Sequence, residues 1–199
     1  MNPSSPILLP SARLSASELR SAALDGELVP VGEGFVPIDA PLTAYARAAS
    51  LAPLLIDERV VVSDRSAAWV WGWGSAPGAV TTCVAITARI PSPDRRRLRA
   101  REVVIDDDER RMLGSVAVTT PLRTVLDLAR HDLHDDVVAL LAAGIVAHGF
   151  TPDGLESALA RRRSLSFVRP ARARLAAAFA LRPDGSVGDA GRAQPLLTR

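Results

Sequence analysis

At 199 residues, with 48% apolar side chains and a net charge of +2, the chain can form one packed domain, or one domain with a small appendage; that charge alone does not imply nucleic-acid binding. Its single cysteine, Cys83, rules out an intramolecular disulfide framework and a cysteine-rich zinc site. The N-terminus lacks the charged start of a signal peptide and no run approaches the roughly 18 apolar residues of a membrane span, so a soluble cytoplasmic protein without a membrane partner is expected.

Residues 1–12 are rich in Pro and Ser and read as loose. In "LSASELRSAALDGE", Ser15 or Ser17 suits the cap of a short helix, with Glu18 near its positive end and "DGE" as its stop. "LVPVGEGFVPI" reads as a β-hairpin turning at Gly32-Glu33-Gly34. A helix followed by a hairpin is the second half of a winged helix, here shortened. From Ala40 the character changes. "PLTAYARAASLA" is a short helix and "ERVVVSD" a buried-type strand, after which Ser63 suits the cap of the helix "DRSAAWVWGW". "AVTTCVAITARI" is a second strand candidate. "REVVIDDDERRML" reads as a strand running into an acidic turn, and "VAVTTPLRTVLDLAR" as a strand feeding a helix. Three further helical stretches follow. The order predicts an α+β fold: residues 1–40 a reduced winged-helix-like segment, 41–183 a mixed-sheet domain closing in a helical cluster, and 184–199 a disordered tail.

All three tryptophans fall in one helical stretch, where Ala67, Ala68 and Trp71 share a face and Trp69 and Trp73 a neighbouring stripe. A stacking platform for nucleic acid joins exposed aromatics to positive charge. The only close basic residue is Arg65, so Trp71 is expected in a core or an interface. In the later helix, Thr120 suits the cap and Pro121 the first position. Leu122, Val125, Leu126 and Ala129 take one face, and Arg123, Asp127 and Arg130 the other, which predicts a solvated charged rim with Asp127 pairing either arginine. "RHDLHDD" offers His131, His134 and Asp135 to a metal, yet acids at a helix start need no metal to explain them. All 24 basic residues are arginines. One cluster, in "PDRRRLRAR", holds Arg95, Arg96, Arg97, Arg99 and Arg101, and another Arg161, Arg162 and Arg163. Such groups suit phosphate or carboxylate recognition, and they equally suit a solvated surface balancing Asp106–Glu109.

Taken in this order, the helix–hairpin segment, "VVVSDRSAAWVWGW", "VAVTTPLRTVLDLAR" and "GFTPDGLESALARRR" resemble the AbiEi-type antitoxin family, actinobacterial branch, of type IV toxin–antitoxin systems. The resemblance covers about residues 14–180. It implies a non-enzymatic antitoxin and autoregulator without a cofactor, whose partners are a cognate nucleotidyltransferase toxin and operator DNA. Carried over by position, DNA-binding residues would be Arg13, Ser15, Ser17, Arg20 and Ser21. The hairpin carries Glu33 at its tip and no basic residue, so DNA binding is expected to be weak, with a shallow salt dependence. The arginine clusters place toxin-directed activity from Pro41 onward, in a part expected to fold alone. Two other readings are a protein-interaction scaffold with a decayed DNA-binding segment and a hydrolase with a metal on His131, His134 and Asp135.

Overall fold

The computed structural model describes residues 7–55, 57–85, 98–161 and 166–181. The fold is α+β. Helix α1 (Ala16–Leu24) starts at Ser15, whose hydroxyl accepts from the Glu18 amide while the Glu18 carboxylate accepts from the Ser15 amide, a reciprocal cap. Strands β1 (Leu28–Val31) and β2 (Gly34–Pro37) form the expected hairpin. Gly32 at its turn has φ +55°, and a Cβ there would meet the Ser50 hydroxyl oxygen at 2.3 Å. Glycine is therefore needed both for the left-handed backbone and for close packing on helix α2 (Ala44–Leu51).

The main sheet has five strands in the order β5-β4-β3-β7-β6. Its members are β3 (Val61–Val62), β4 (Val80–Ala85), β5 (Leu98–Val103), β6 (Arg110–Leu113) and β7 (Val116–Thr119). β3 pairs antiparallel with β4 and parallel with β7, β4 parallel with β5, and β6 antiparallel with β7. Between β3 and β4 lies helix α3 (Asp64–Val70). After β7 come α4 (Pro121–His131), α5 (Val137–His148), α6 (Pro152–Arg161) and α7 (Val168–Ala180).

Two apolar clusters carry most of the packing. One gathers Trp73 with Leu128, Leu141, Ile145, Leu155, Leu159 and Leu175 among α4–α7. The other joins Val31 and Val36 of the hairpin to Ala46, Val62, Trp69, Leu113 and Val118. Each fully buried aliphatic side chain stabilises the fold by about 1.5–3 kcal/mol. The hairpin thus shares a core with α2, α3 and the sheet.

Four sequence expectations change. The tryptophan helix ends at Val70, so Trp73 lies beyond it; Trp69 and Trp73 are buried, whereas Trp71 is half-buried and donates from Nε1 to the Thr119 carbonyl at 2.9 Å. Ser63 stands at the N-cap of α3 but makes no side-chain cap bond; its hydroxyl donates to the Asp64 carboxylate instead. The acidic turn ends at Glu109, and "RRML" beyond it is a further strand, β6, which turns back through Gly114 at φ +65° into β7. The charged face of α4 is no solvated rim: Arg123, Asp127 and Arg130 are 4%, 1% and 8% exposed. The expected tail, 184–199, lies outside the described residues.

Candidate functional site

The buried face of α4 is the centre of an ionic network drawn from four parts of the chain. Thr120 caps α4 by accepting from the Arg123 amide, and Pro121 occupies its first position. That start fixes the phase of the helix, so Arg123, Asp127 and Arg130 point away from the Leu128 side. Arg123 donates from Nε to Asp127 Oδ2 at 2.7 Å, and from Nη1 to Glu109 Oε2 at 2.6 Å and to the Val104 carbonyl at 3.1 Å. Glu109 ends a short 3-10 turn, Asp107–Glu109, and also accepts from the Asp106 amide. Arg130 Nη1 stands 3.6 Å from Asp127 Oδ1, while its Nε donates to the Ser166 carbonyl.

Arg101 brings β5 into the same network. Its Nη2 donates to Asp64 Oδ1 at 3.0 Å and lies 3.6 Å from Asp127 Oδ2. Asp64, the first residue of α3, has φ +49°, a left-handed conformation that Asp tolerates better than most residues. Three guanidinium groups and three carboxylates, Asp64, Glu109 and Asp127, are therefore gathered. Opposite charges this close offset the cost of removing them from water. Two buried atoms, Asp127 Oδ1 and Arg101 Nε, have no hydrogen-bond partner among the described residues.

Burial raises the Asp64 carboxyl above the usual range, against the pull of Arg101. Burial and the neighbouring Asp127 charge push the Cys83 thiol up to about 12, so at neutral pH it is a thiol rather than a reactive thiolate. Burial, with Arg101 and Arg130 nearby, lowers the His131 imidazole to about 4. His131 packs its ring edge on Phe167, whereas the exposed His134 meets Asp132 at 2.7 Å. Asp135 is exposed. The two histidines thus serve different neighbours, and among the described residues no group of three His, Cys, Asp or Glu side chains is gathered for a metal.

The residues carried over as DNA-binding lie on α1 or just before it. Arg13, Ser17, Arg20 and Ser21 are exposed, but the Ser15 hydroxyl belongs to the helix cap and bonds the Ser17 hydroxyl at 2.9 Å. Arg99 lines a cleft of about 470 Å³ with Arg65, Thr81 and His134. Arg161 lines a different one, of about 390 Å³, with Glu109 and Thr120. The Arg65 guanidinium is held by Asp132 and Asp136. Arg95, Arg96, Arg97, Arg162 and Arg163 lie outside the described residues. Among those described, no single helix is long and apolar enough to cross a membrane.

Sequence reasoning counted Arg101 only within a basic cluster and did not place Asp64, Arg101 or Glu109 in this network. The strand-end Ser63-Asp64 pair and the Arg99–Arg101 alternation were the available signals. No protein-family model matches the chain, and no curated protein matches it. Among solved structures, the RV2827C protein from Mycobacterium tuberculosis is similar at 15% identity, covering 84% of this chain and 70% of that one, with a TM-score of 0.43. So distant a likeness carries no argument about function.

Proposed function

We propose that the chain is a non-enzymatic antitoxin-like protein that opposes a nucleotidyltransferase toxin and regulates its own operon. The observation that supports this reading is the meeting of the two motifs that carry the resemblance. Trp71 of the first donates to Thr119 of the second, and Arg101 bridges Asp64 of the first to Asp127 of the second. The network is a balanced set of ion pairs that locks α3, β5 and α4 together, which suits a rigid binding body. Co-expression with the nucleotidyltransferase of a neighbouring reading frame tests the reading. Restored growth is the expected outcome; growth arrest despite soluble, folded protein would overturn it.

A second reading, a protein-interaction scaffold, is favoured by the acidic and apolar surface of the helix–hairpin. Titrating upstream DNA separates the two in part. Weak binding with a salt slope of only a few phosphates is expected of the autoregulator, and none of the scaffold.

A further inference from the structure

The acidic helix–hairpin, with five carboxylates against two arginines from Arg13 to Asp39, leaves the rest of this +2 chain net basic. One of the remaining arginines stands apart from the clusters. Arg47, on α2, is half-buried, and its guanidinium enters no ion pair or side-chain hydrogen bond among the described residues. Burial holds it below its ordinary range, and no carboxylate acts in the other direction. A cation drawn out of water ordinarily has a partner. The guanidinium lies over Gly72, where a Cβ would stand 3.3 Å from Nη1; Gly72, at φ +87°, separates Trp71 from Trp73. Both tryptophans make edge contacts with His148, at centroid distances of 6.1 and 5.5 Å, and Phe150 stacks on the same imidazole at 5.8 Å. His148 is exposed, and Trp71 and Phe150 are half-buried, so the group opens to solvent. Its rings are held in place: Trp71 by its bond to the Thr119 carbonyl, and Phe150 by its amide, which donates to the Ile145 carbonyl. Arg47 is the only formally charged side chain in residues 41–55, 66–85 and 137–151, which carry the whole group.

We propose that Arg47, Trp71, His148 and Phe150 bind a nucleotide, free or as one unit of a single strand, with its base on the aromatic group and its phosphate on Arg47. The inference goes beyond the antitoxin reading and does not rest on it. Open aromatic rings beside an unpaired arginine supply the two contacts that a nucleotide needs, stacking for the base and a charged fork for the phosphate. Along the chain only Arg65 lies near the tryptophans, and Asp132 and Asp136 hold it. The fold supplies Arg47 in its place. A duplex does not suit such a site, because its bases are stacked on one another and offer no free face.

Tryptophan fluorescence of the full chain, titrated with adenosine monophosphate and with single-stranded oligoadenylate, tests the proposal, since Trp71 lies in the site. Saturable quenching by at least one of them is expected. Quenching by the monophosphate alone would identify a free nucleotide, and much tighter binding of the oligomer a nucleic-acid strand; either supports the site. Arg47→Gln removes an unpaired charge, so it should melt no lower than wild type yet weaken binding about tenfold. His148→Ser, at an exposed position, should weaken it to a similar degree. Arg172→Glu, on α7, should bind as wild type. Affinity should fall as salt is raised. Saturation by neither compound, unaltered binding in Arg47→Gln, or equal competition by inorganic phosphate would overturn the inference. So would a lower melting temperature in Arg47→Gln, which would give the guanidinium a structural role, or a complementary duplex that binds as tightly as the single strand.

Discussion

Substituting Asp127 by Asn leaves Arg123 facing a neutral amide at a site where both side chains are almost fully enclosed. Breaking a buried ion pair from one side costs about 3–5 kcal/mol, here because Glu109 and the Val104 carbonyl are left to hold Arg123 while Arg101 and Arg130 lose the charge they face. Asp127→Asn should therefore lose that much in urea denaturation, and a loss below about 1 kcal/mol would show that water reaches the network. The exposed Glu156–Arg172 pair is the control: Arg172→Ala should leave the melting temperature unchanged. His131 gives a pH signature. Its folded value of about 4 lies below the ordinary 6.5, so as pH falls between these limits the unfolded chain takes up a proton that the folded chain does not. Its contribution to stability is complete above about pH 6.5 and lost as pH falls towards 4. Asp64 acts in the opposite sense, since its raised value makes stability decline as pH climbs above 3.8. Comparing wild type with His131→Gln isolates the imidazole. The variant should show a flatter melting profile across pH 4 to 6.5, and parallel profiles would refute the burial effect.

Gly144 sits within α5, where alanine would ordinarily favour the helix by about 1 kcal/mol. A Cβ there would stand 2.8 Å from Trp73 Cε3 and 2.9 Å from its Cδ2. An enclosed indole cannot give way as a flexible chain end does, so Gly144→Ala should destabilise by about 1–3 kcal/mol. A raised melting temperature would mean that the Trp73 contact is loose. Trp73→Ala should cost about 3–5 kcal/mol, whereas Trp71→Phe, which removes one hydrogen bond at a half-buried ring, should cost about 1 kcal/mol. The same helices show what sequence can carry. The Thr120-Pro121 start of α4 and a serine cap with Glu18 in the first turn of α1 were legible because their partners lie within four residues, although the choice of Ser15 over Ser17 was not. The environment of Asp127 was not, because periodicity assigns a helix two faces and is silent on what covers the second. Here Arg101, Glu109 and the Val104 carbonyl cover it, from parts of the chain whose approach no local pattern encodes. β6 was missed for a related reason: its acidic lead-in resembles a turn, and only pairing with β7 makes Arg110–Leu113 a strand.

At the scale of the molecule, the helix–hairpin is not an independent appendage. Val31 and Val36 pack with α2, α3 and the sheet, and the Glu33 amide donates to the Ser50 carbonyl. A fragment beginning at Pro41 would expose the α2 face that they cover. Two buried valines contribute about 3–6 kcal/mol together, a large share of a typical domain's stability. The fragment should melt well below the full chain, and equal melting temperatures would show that the hairpin is dispensable. The boundary between acidic and basic parts of the chain therefore runs through a shared core.

The sheet also has a weak joint. β3 contributes only Val61 and Val62, and through them β4 and β5 are tied to β7 and β6. The β6–β7 hairpin closes locally around Gly114, which takes about microseconds. Val62 meets Val118 across 56 positions of chain, so that closure must wait for a long loop to find its end. Refolding should then proceed in two stages: β6–β7 and α4 gain protection from hydrogen exchange first, and the amides along the β3–β7 seam last. Once formed, the seam would be the line along which the sheet parts.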